Sequence, residues 1–322
     1  MGIITNLKGL GFVPKKALGQ NFLLDEGYLD SVVASVGVTK DDTVVEVGTG
    51  AGTLTRAIAR AAKKVITYEV DKTLAPFLKN QFGEKGYENI EIKFEDALSA
   101  VIDIEGSKSN AGVSKDIGTA SEGIIKESNF DTAHGGTPYK LVANVPYYIT
   151  TPLVLKFLRD PNCTELSVLV QKELAMRIVA TSGADYGALS ITIGAYADAR
   201  ITKQVPRNLF WPVPGVDSAF VHIVKKPKYE IANQDVFDSL VKGLFMARRK
   251  TVLNGFSQWC AGYTFKSGMT AAGEKTVDSK SPKEYTKEEI IAKLQTANID
   301  PTKRPEQLSV PQIVDLLNAV VG

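Results

Sequence analysis

Residues 144–147 combine side chains and backbone groups that could activate a planar amine. The amino group of a base such as adenine is a poor nucleophile, because its lone pair is delocalised into the ring. If the Asn144 side-chain oxygen and the Pro146 carbonyl each accept one amine proton, the lone pair is directed toward an electrophilic methyl group. The aromatic face of Tyr147 suits a planar base beside those acceptors. We therefore interpret the segment as a methylation pocket, with a plain strand end followed by a turn as the alternative.

Three glycines, Gly48, Gly50 and Gly52, stand between an apolar segment and the start of a helical pattern. In a parallel sheet, this strand-to-helix turn is where a nucleotide-like ligand binds. A dinucleotide fingerprint would need its third glycine one residue later, at Thr53, and no Lys-Ser/Thr phosphate loop occurs. The turn predicts a nucleotide-like ligand held without a phosphate cradle, or else a tight turn that binds nothing.

Two acidic residues follow the next two apolar segments. Glu69 lies about twenty residues beyond the first glycine, where a carboxylate can accept hydrogen bonds from both hydroxyls of a ribose. Asp96 follows the third segment and could accept from the amino group of an adenine ring. Each acid alone is more often a solvated charge or a helix cap. Signals at three successive strand ends favour a ligand site.

The elements that must position these residues alternate between strand and helix. Apolar residues recur at helical spacing over 25–36. Strands are predicted within 43–47, 65–71, 90–98, 140–149, 165–171, 191–205 and 218–226. Further helices are predicted from about residue 54 and at 73–82, 152–160 and 172–180. This alternation predicts an α/β fold with a parallel sheet covered on both faces. Residues 99–138, rich in Ser, Gly, Asp and Lys, are interpreted as an exposed insertion. From Gln234 the pattern is helical, with a polar link at 262–284 and a last helix from about Val310.

Composition limits the class of protein. A chain of 322 residues predicts about two domains, and 44% hydrophobic with 23% charged residues is typical of globular proteins. Its longest uncharged stretches, such as 141–155, are shorter than a membrane span, and no cleavable leader is evident at the start, so we expect a cytoplasmic protein. Two cysteines and two histidines without metal-ligand spacing predict no metal site.

A set of motifs in a fixed order makes the chain resemble one known family. The motifs are KKALGQNFLLD, VVEVGTGAGTLT, YEVD, EDAL, NVPYYITTPLV, VQKELAMRIVA, YGALS, FWPVPGVDSAFV and RRKT. Each is weak alone, but in this order, across almost the whole chain, they resemble the small-subunit ribosomal RNA adenine N6-dimethyltransferases. The resemblance implies an S-adenosylmethionine-dependent, Rossmann-like domain with a small helical C-terminal domain. It also implies dimethylation of two adjacent adenosines near the 3′ end of the small-subunit RNA during ribosome maturation.

The resemblance also assigns residues. It implies that Asn21 and Leu23 contact the methionine part of S-adenosylmethionine, that Tyr147 stacks on the target base, and that Phe210 forms a second stacking wall. The whole predicted set comprises Asn144, Pro146, Tyr147 and Phe210 as catalytic residues, and Asn21, Leu23, Gly48, Gly50, Glu69, Asp96 and Asn144 as cofactor-binding residues.

Three residues depart from the family pattern. Thr49 stands where proline is usual, Val145 where leucine is commoner, and Tyr148 where asparagine is common. The last departure could alter the rim of the pocket. The segments 99–138 and 262–284 are longer than the family norm, and the sequence assigns no role to either.

Positively charged residues are concentrated in one part of the chain. The net charge is only +2, but residues 201–260 hold nine Lys and Arg against four Asp and Glu. Arg248, Arg249 and Lys250 are therefore predicted to contact RNA phosphates, with a solvated surface as the alternative. The predicted division is a catalytic domain at 1–230 and a helical RNA-binding domain at 231–322. The predicted partner is small-subunit ribosomal RNA in a pre-ribosomal particle.

Two other functions remain open from the sequence. A large-subunit RNA methyltransferase of the macrolide-resistance type would share the cofactor site and the Asn-x-Pro-Tyr motif, but generally lacks the RRKT and YGALS segments. A ribosome-assembly factor that binds RNA without turnover would not need the intact catalytic residues. An NAD-dependent oxidoreductase is disfavoured by the glycine spacing.

Overall fold

The structure of the protein is a computed structural model that describes most of the chain. The described residues are 3–9, 11–83, 86–104, 136–246, 249–262 and 285–321. Across these residues, no helix is both long and apolar enough to cross a membrane.

Nine strands and eleven α-helices make up the described part. The strands are β1 (Phe22–Leu23), β2 (Thr43–Val47), β3 (Lys64–Tyr68), β4 (Ile90–Lys93), β5 (Tyr139–Asn144), β6 (Cys163–Gln171), β7 (Ala197–Val205), β8 (Phe210–Trp211) and β9 (Ser218–Lys225). The helices are α1 (Ile3–Gly9), α2 (Glu26–Ser35), α3 (Thr53–Ala61), α4 (Ala75–Gly83), α5 (Thr150–Arg159), α6 (Lys172–Val179), α7 (Ala188–Tyr196), α8 (Gln234–Met246), α9 (Val252–Gly262), α10 (Lys287–Thr296) and α11 (Val310–Val321).

Seven strands form one mixed sheet in the order β4-β3-β2-β5-β6-β9-β7. The strands from β4 to β6 are parallel, and β9 is antiparallel to β6. The four parallel strands whose carboxyl ends precede the predicted site residues are therefore neighbours. Polar side chains at those ends meet at one edge of the sheet, which is the arrangement expected of an α/β fold. This confirms the predicted fold class.

The chain divides into two compact units: residues Met1–Ala175 with Ala199–Lys225, and Met176–Asp198 with Lys226–Gly322. In the first unit, apolar side chains of α2 and α3 pack with those of the central strands. Leu29, Val33 and Ile58 are at most 2% exposed in this cluster. Asp25 caps α2, because its carboxylate accepts the Tyr28 N–H at 2.8 Å. Burial of these apolar helix faces fixes α2 and α3 on the sheet and so holds the strand ends in place.

The second unit is a helical core. Its buried cluster draws on α7, α8, α9, α10 and α11, and includes Ile191, Phe237, Leu240, Leu244, Phe256, Trp259, Leu294, Leu316 and Leu317. Helix α10 begins with a capping box: the Thr286 hydroxyl accepts the Glu289 N–H, and the Glu289 carboxylate accepts the Thr286 N–H. Together, these features give the unit a hydrophobic core of its own.

One predicted element is wrong. The segment 191–205 is not a single strand, since helix α7 runs to Tyr196 and strand β7 begins at Ala197. The buried residues of α7 cover most of its circumference, so the helical period is hidden, and its β-branched residues favour a strand by propensity.

The other predicted strands and helices up to β9 are confirmed, as is the last helix from Val310. The division into units differs from the predicted boundary at residue 230. Residues 176–198 belong to the second unit, where α7 packs into the helical core. Most of the predicted insertion at 99–138, and nearly all of the polar link at 262–284, lie outside the described residues.

Candidate active site

A cavity of about 460 Å³ lies at the carboxyl ends of the parallel strands of the first unit. Nine of the predicted site residues line it: Asn21, Leu23, Gly48, Gly50, Glu69, Asp96, Asn144, Pro146 and Tyr147. The sequence positions them on four different strand ends and on the segment around β1. The structure therefore joins the predicted ligand site and the predicted methylation pocket in one cavity.

The glycine turn between β2 and α3 has a backbone that favours glycine. Gly48, Gly50 and Gly52 have φ of 82°, 54° and 70°, in the left-handed region that L side chains rarely adopt. A Cβ on Gly48 would stand 3.2 Å from the Asn144 carbonyl oxygen, and one on Gly50 would stand 3.0 Å from the Phe22 ring. Glycine is therefore required here both by conformation and by the close approach of neighbouring walls.

Glu69 binds the glycine turn as well as facing the cavity. One carboxylate oxygen accepts the Gly50 N–H and the other accepts the Asp71 N–H, each at 2.8 Å. Burial raises the pKa of the Glu69 carboxyl, although these two N–H groups act in the opposite direction. A carboxylate has about four acceptor positions, so even with the Val70 N–H also acting on Glu69 the carboxylate can still accept from a hydroxyl group in the cavity.

Asp96 begins a turn that closes one side of the cavity. Its carboxylate accepts the Leu98 N–H at 2.9 Å, and its carbonyl accepts the N–H groups of Ser99 and Ala100. Ala97 is 2% exposed and lines the cavity together with Leu98. Asp96 itself is exposed, so its second carboxylate oxygen can take a donor from a ligand.

The end of β5 presents the amide and carbonyl groups predicted to accept an amine. The Asn144 amide nitrogen donates to the Asn21 carbonyl at 3.4 Å, which orients the side chain between the two segments. The Pro146 carbonyl already accepts the Ile149 N–H at 3.1 Å and the Thr150 hydroxyl at 3.3 Å. Val145 is 2% exposed and lines the cavity, and no described residue donates to its carbonyl. The free carbonyl is therefore that of Val145 rather than that of Pro146.

Two tyrosines follow in a 3-10 turn. The Tyr147 hydroxyl lies 2.8 Å from the Ser218 hydroxyl, and burial raises the pKa of Tyr147. This hydrogen bond ties the ring to the start of β9. Tyr148, which also lines the cavity, is 65% exposed and packs beside Gly19.

The segment before β1 is tied to the end of β3 by a buried carboxylate. Asp71 accepts hydrogen bonds from the Lys15 ammonium at 2.6 Å and from the Gln20 amide at 2.9 Å. Burial alone would raise the pKa of Asp71, but hydrogen bonds from Lys15, Thr73 and Gln20 outweigh it and lower the pKa to about 2. The same segment carries Asn21, so this network positions a wall of the cavity.

A chain of hydroxyls runs from the glycine turn into the sheet. Thr49, which lines the cavity, lies 2.7 Å from the Thr67 hydroxyl, and Thr67 donates to the Glu46 carboxylate at 2.7 Å. Thr55 donates to the same oxygen at 2.6 Å. Glu46 is 0% exposed, and burial raises its pKa to about 8 despite the two threonine donors. The departure at Thr49 thus adds a hydroxyl to a buried network.

Phe210 does not reach the cavity. Strand β8 pairs antiparallel with β1, with Phe210 opposite Leu23, and the Phe210 ring is 4% exposed in the core cluster that also holds Leu29 and Val33. The position expected of a second stacking wall is therefore not occupied by this ring. Its neighbour Trp211 stacks on Phe22, with centroids 6.1 Å apart.

The predicted RNA-binding residues belong to the second unit. Arg249 and Lys250 are exposed just before α9, whereas Arg248 lies outside the described residues. In the described part of the chain, no group of three or more His, Cys, Asp or Glu side chains could hold a metal ion.

Sequence reasoning missed several residues that shape the cavity. These are Lys15, Gln20, Asp71, Thr49 and Lys156. Lys15 and Gln20 lie in the motif KKALGQNFLLD, and Asp71 ends the motif YEVD, but the motifs alone did not show that these side chains bind one another. Lys156 belongs to a helix pattern and shows no motif of its own.

Comparison with known sequences identifies relatives over nearly the whole chain. The sequence profile described as ribosomal RNA adenine dimethylase matches residues 11–294. The chain is 38% identical over 309 residues to the ribosomal RNA small subunit methyltransferase A of Clostridioides difficile (strain 630), covering 95% of this chain and 90% of the relative. It is 36% identical to the protein of the same description from Alkaliphilus oremlandii (strain OhILAs), covering 94% and 90%.

Solved structures share the fold. A dimethyladenosine transferase from Plasmodium falciparum superposes with a TM-score of 0.65 at 24% identity, covering 90% of this chain and 94% of that one. The 23S rRNA methyltransferase ErmE gives a TM-score of 0.62 at 21% identity, covering 94% and 100%. Since these two TM-scores are similar, the fold does not distinguish the dimethyladenosine transferase from the 23S rRNA methyltransferase. The sequence relatives favour the small-subunit enzymes. The profile match and the sequence identities confirm the resemblance, and the chain belongs to the ribosomal RNA adenine dimethylase family.

Proposed function

We propose that the protein transfers methyl groups from S-adenosylmethionine to N6 of two adjacent adenosines near the 3′ end of small-subunit ribosomal RNA. The observation that carries this proposal is the single cavity in which the glycine turn, Glu69 and Asp96 face the same space as Asn144 and Tyr147. The substrate is proposed as a pre-ribosomal particle, and the site of action as the cytoplasm.

The cavity residues suit the proposed cofactor. Gly48 and Gly50 give the turn the left-handed backbone with which it lines the cavity. Glu69 has acceptor positions for ribose hydroxyls, and Asp96 has one for an adenine amine. Asn21 and Leu23 would contact the methionine part. When bound, S-adenosylmethionine supplies a methyl group that is electrophilic because it is attached to a sulfonium.

The residues at the end of β5 would prepare the acceptor amine. The Asn144 side-chain oxygen accepts a hydrogen bond from one amine N–H, and we assign the other N–H to the Val145 carbonyl, because the Pro146 carbonyl already has two donors. Both acceptors stabilise the positive charge that develops on the amine nitrogen. Tyr147 offers its ring to the base, and its bond to Ser218 limits ring rotation.

Two rival functions are separated by one assay. Immature small subunits and, separately, large-subunit RNA are incubated with methyl-labelled S-adenosylmethionine, and the nucleosides are analysed. Dimethyladenosine in small-subunit RNA supports the proposal. Label in large-subunit RNA would select a resistance-type enzyme, and no label with retained RNA binding would select an assembly factor without turnover.

The role of Asn144 is tested by Asn144→Ala. We expect methyl transfer to fall by at least about a hundredfold, because one preorganised acceptor is lost. Binding of S-adenosylhomocysteine, measured by calorimetry, should change by less than about threefold, because the side chain acts on the acceptor amine. Normal turnover in this variant would contradict the proposed mechanism.

A further inference from the structure

The Lys156 side chain donates to the turn that follows β4. Its ammonium group lies 2.6 Å from the Ala97 carbonyl oxygen, 3.0 Å from that of Leu98 and 2.6 Å from that of Ala100. An ammonium group has three N–H donors and no acceptor, so these three carbonyls use its full donor capacity. Such hydrogen bonds from a charged donor are stronger than those between neutral groups.

No described helix or strand includes this turn. It lies between β4 and the segment beyond residue 104, and its internal bonds all return to Asp96. The three carbonyls that converge on one point would repel one another without a cation between them. Lys156 therefore determines where Ala97 and Leu98, which line the cavity, are placed.

Lys156 also links two walls of the cavity. Helix α5 begins at Thr150, directly after the 3-10 turn that carries Tyr147, and Lys156 lies less than two helical turns further along. The turn at 96–100 and the end of β5 are thus joined through one helix and one ammonium group. Burial lowers the pKa of Lys156, against the opposing effect of Asp160 and Asp96.

We propose that Lys156 is a positioning residue for the adenine side of the cofactor cavity. It holds the backbone of residues 97–100 and so sets the affinity for the adenosyl part of the ligand, without touching the acceptor base. This inference rests on the proposed function, because it takes the turn after β4 as the adenine wall.

The test replaces the ammonium group by an isosteric apolar chain in the full-length protein, as Lys156→Met. We expect the dissociation constant of S-adenosylhomocysteine, measured by calorimetry, to rise about tenfold. The dissociation constant of 5′-methylthioadenosine, which has the adenine and ribose but not the amino acid, should rise by the same factor. In steady-state assays, KM for S-adenosylmethionine should rise while KM for RNA and kcat stay within about threefold.

A matched control is Lys140→Met. Lys140 also donates to a backbone carbonyl, that of Gly37, and pairs with Asp42 and Glu165, but none of these partners lines the cavity. Its loss should lower the thermal unfolding temperature without changing either dissociation constant. Equal ligand affinity in Lys156→Met and wild type would overturn the proposal.

A second variant covers the case in which Lys156→Met does not fold. Lys156→Cys is purified and alkylated with 2-bromoethylamine, which forms a C–S bond with loss of bromide and restores an ammonium group at lysine length. The native cysteines, Cys163 and Cys260, are buried. Recovery of wild-type affinity on alkylation supports the proposal, and no recovery overturns it. If wild-type protein binds neither ligand, the proposed function itself is wrong.

Discussion

The pKa values of two acidic residues in the first unit are shifted in opposite directions by their surroundings. Asp71 has a nearby ammonium group and an amide donor, and its pKa falls to about 2. Glu46 has only two hydroxyl donors, and its other oxygen, Oε1, has no hydrogen-bond partner among the described residues. Burial dominates there and raises its pKa to about 8. The sheet therefore contains a neutral carboxylic acid beneath the glycine turn at neutral pH.

The neutral state of Glu46 predicts a pH dependence of stability. Its carboxyl titrates near 4.5 when unfolded and near 8 when folded, so between these values the folded form keeps a proton that the unfolded form has lost. The free energy of unfolding should therefore fall as pH rises through this window, by up to about 1.4 kcal/mol per pH unit. In Glu46→Gln this contribution should disappear. Urea denaturation at pH 5, 6.5 and 8 measures the difference from wild type.

The control for this measurement is Glu88→Gln, because Glu88 is exposed on the surface of the same unit. Its unfolding free energy should follow the wild-type pH dependence. A pH dependence of Glu46→Gln that is parallel to wild type across the window would show that Glu46 is ionised in the folded protein.

The predictability of the site residues depended on where they stand in the chain. Gly48, Glu69, Asp96 and Asn144 follow apolar strand segments, and the ends of parallel strands meet at one edge, so their convergence was predictable. Lys156 was not, because its partners are backbone carbonyls about 56 to 59 residues away. Phe210 was misplaced for a related reason: the pairing of β8 with β1 turns its ring into the core.

At the scale of elements, burial on several sides hid a helix. The residues of α7 pack into the helical core of the second unit on most of their circumference, so apolar side chains occur without a 3.6-residue period. Elements with one buried face, such as α2 and α3, were predicted from their spacing.

Gly243 sets the distance between α8 and α9. A Cβ at this position would lie 2.5 Å from Cδ1 of Trp259, whose ring stacks on Phe256 and whose indole nitrogen donates to Ser239. In Gly243→Ala, we expect the clash to outweigh the gain in helix propensity and to lower the free energy of unfolding by about 1–2 kcal/mol. Denaturant titration followed by tryptophan fluorescence measures this.

The matched substitution is Gly262→Ala at the end of α9, where a Cβ would meet no atom of a described residue within 4 Å. It should leave stability unchanged or raise it slightly. If Gly243→Ala is as stable as Gly262→Ala, the spacing of α8 and α9 is not limited by the glycine.

At the scale of the whole molecule, net charge says little about the partner. A charge of +2 over 322 residues gives no strong overall field, so affinity for RNA must come from local groups of cations. Arg249 forms no ion pair with any described residue, and Lys250 makes only a long hydrogen bond, 3.4 Å, to Gln258. Cationic side chains that no described residue neutralises are available to phosphate groups.

These two cations predict a salt-dependent share of RNA affinity. In the double variant Arg249→Ala with Lys250→Ala, RNA binding should weaken, and the slope of log Kd against log salt concentration should become shallower by about 1.5 if both contact phosphates. The affinity for S-adenosylhomocysteine should not change, because every described residue that lines the cavity belongs to the first unit. The control removes two exposed cations elsewhere in the second unit, as Lys287→Ala with Arg304→Ala, and should keep the wild-type slope. Both double variants lose the same net charge. If their slopes are equal, the effect comes from that loss of charge, and the RNA contacts lie on residues other than Arg249 and Lys250.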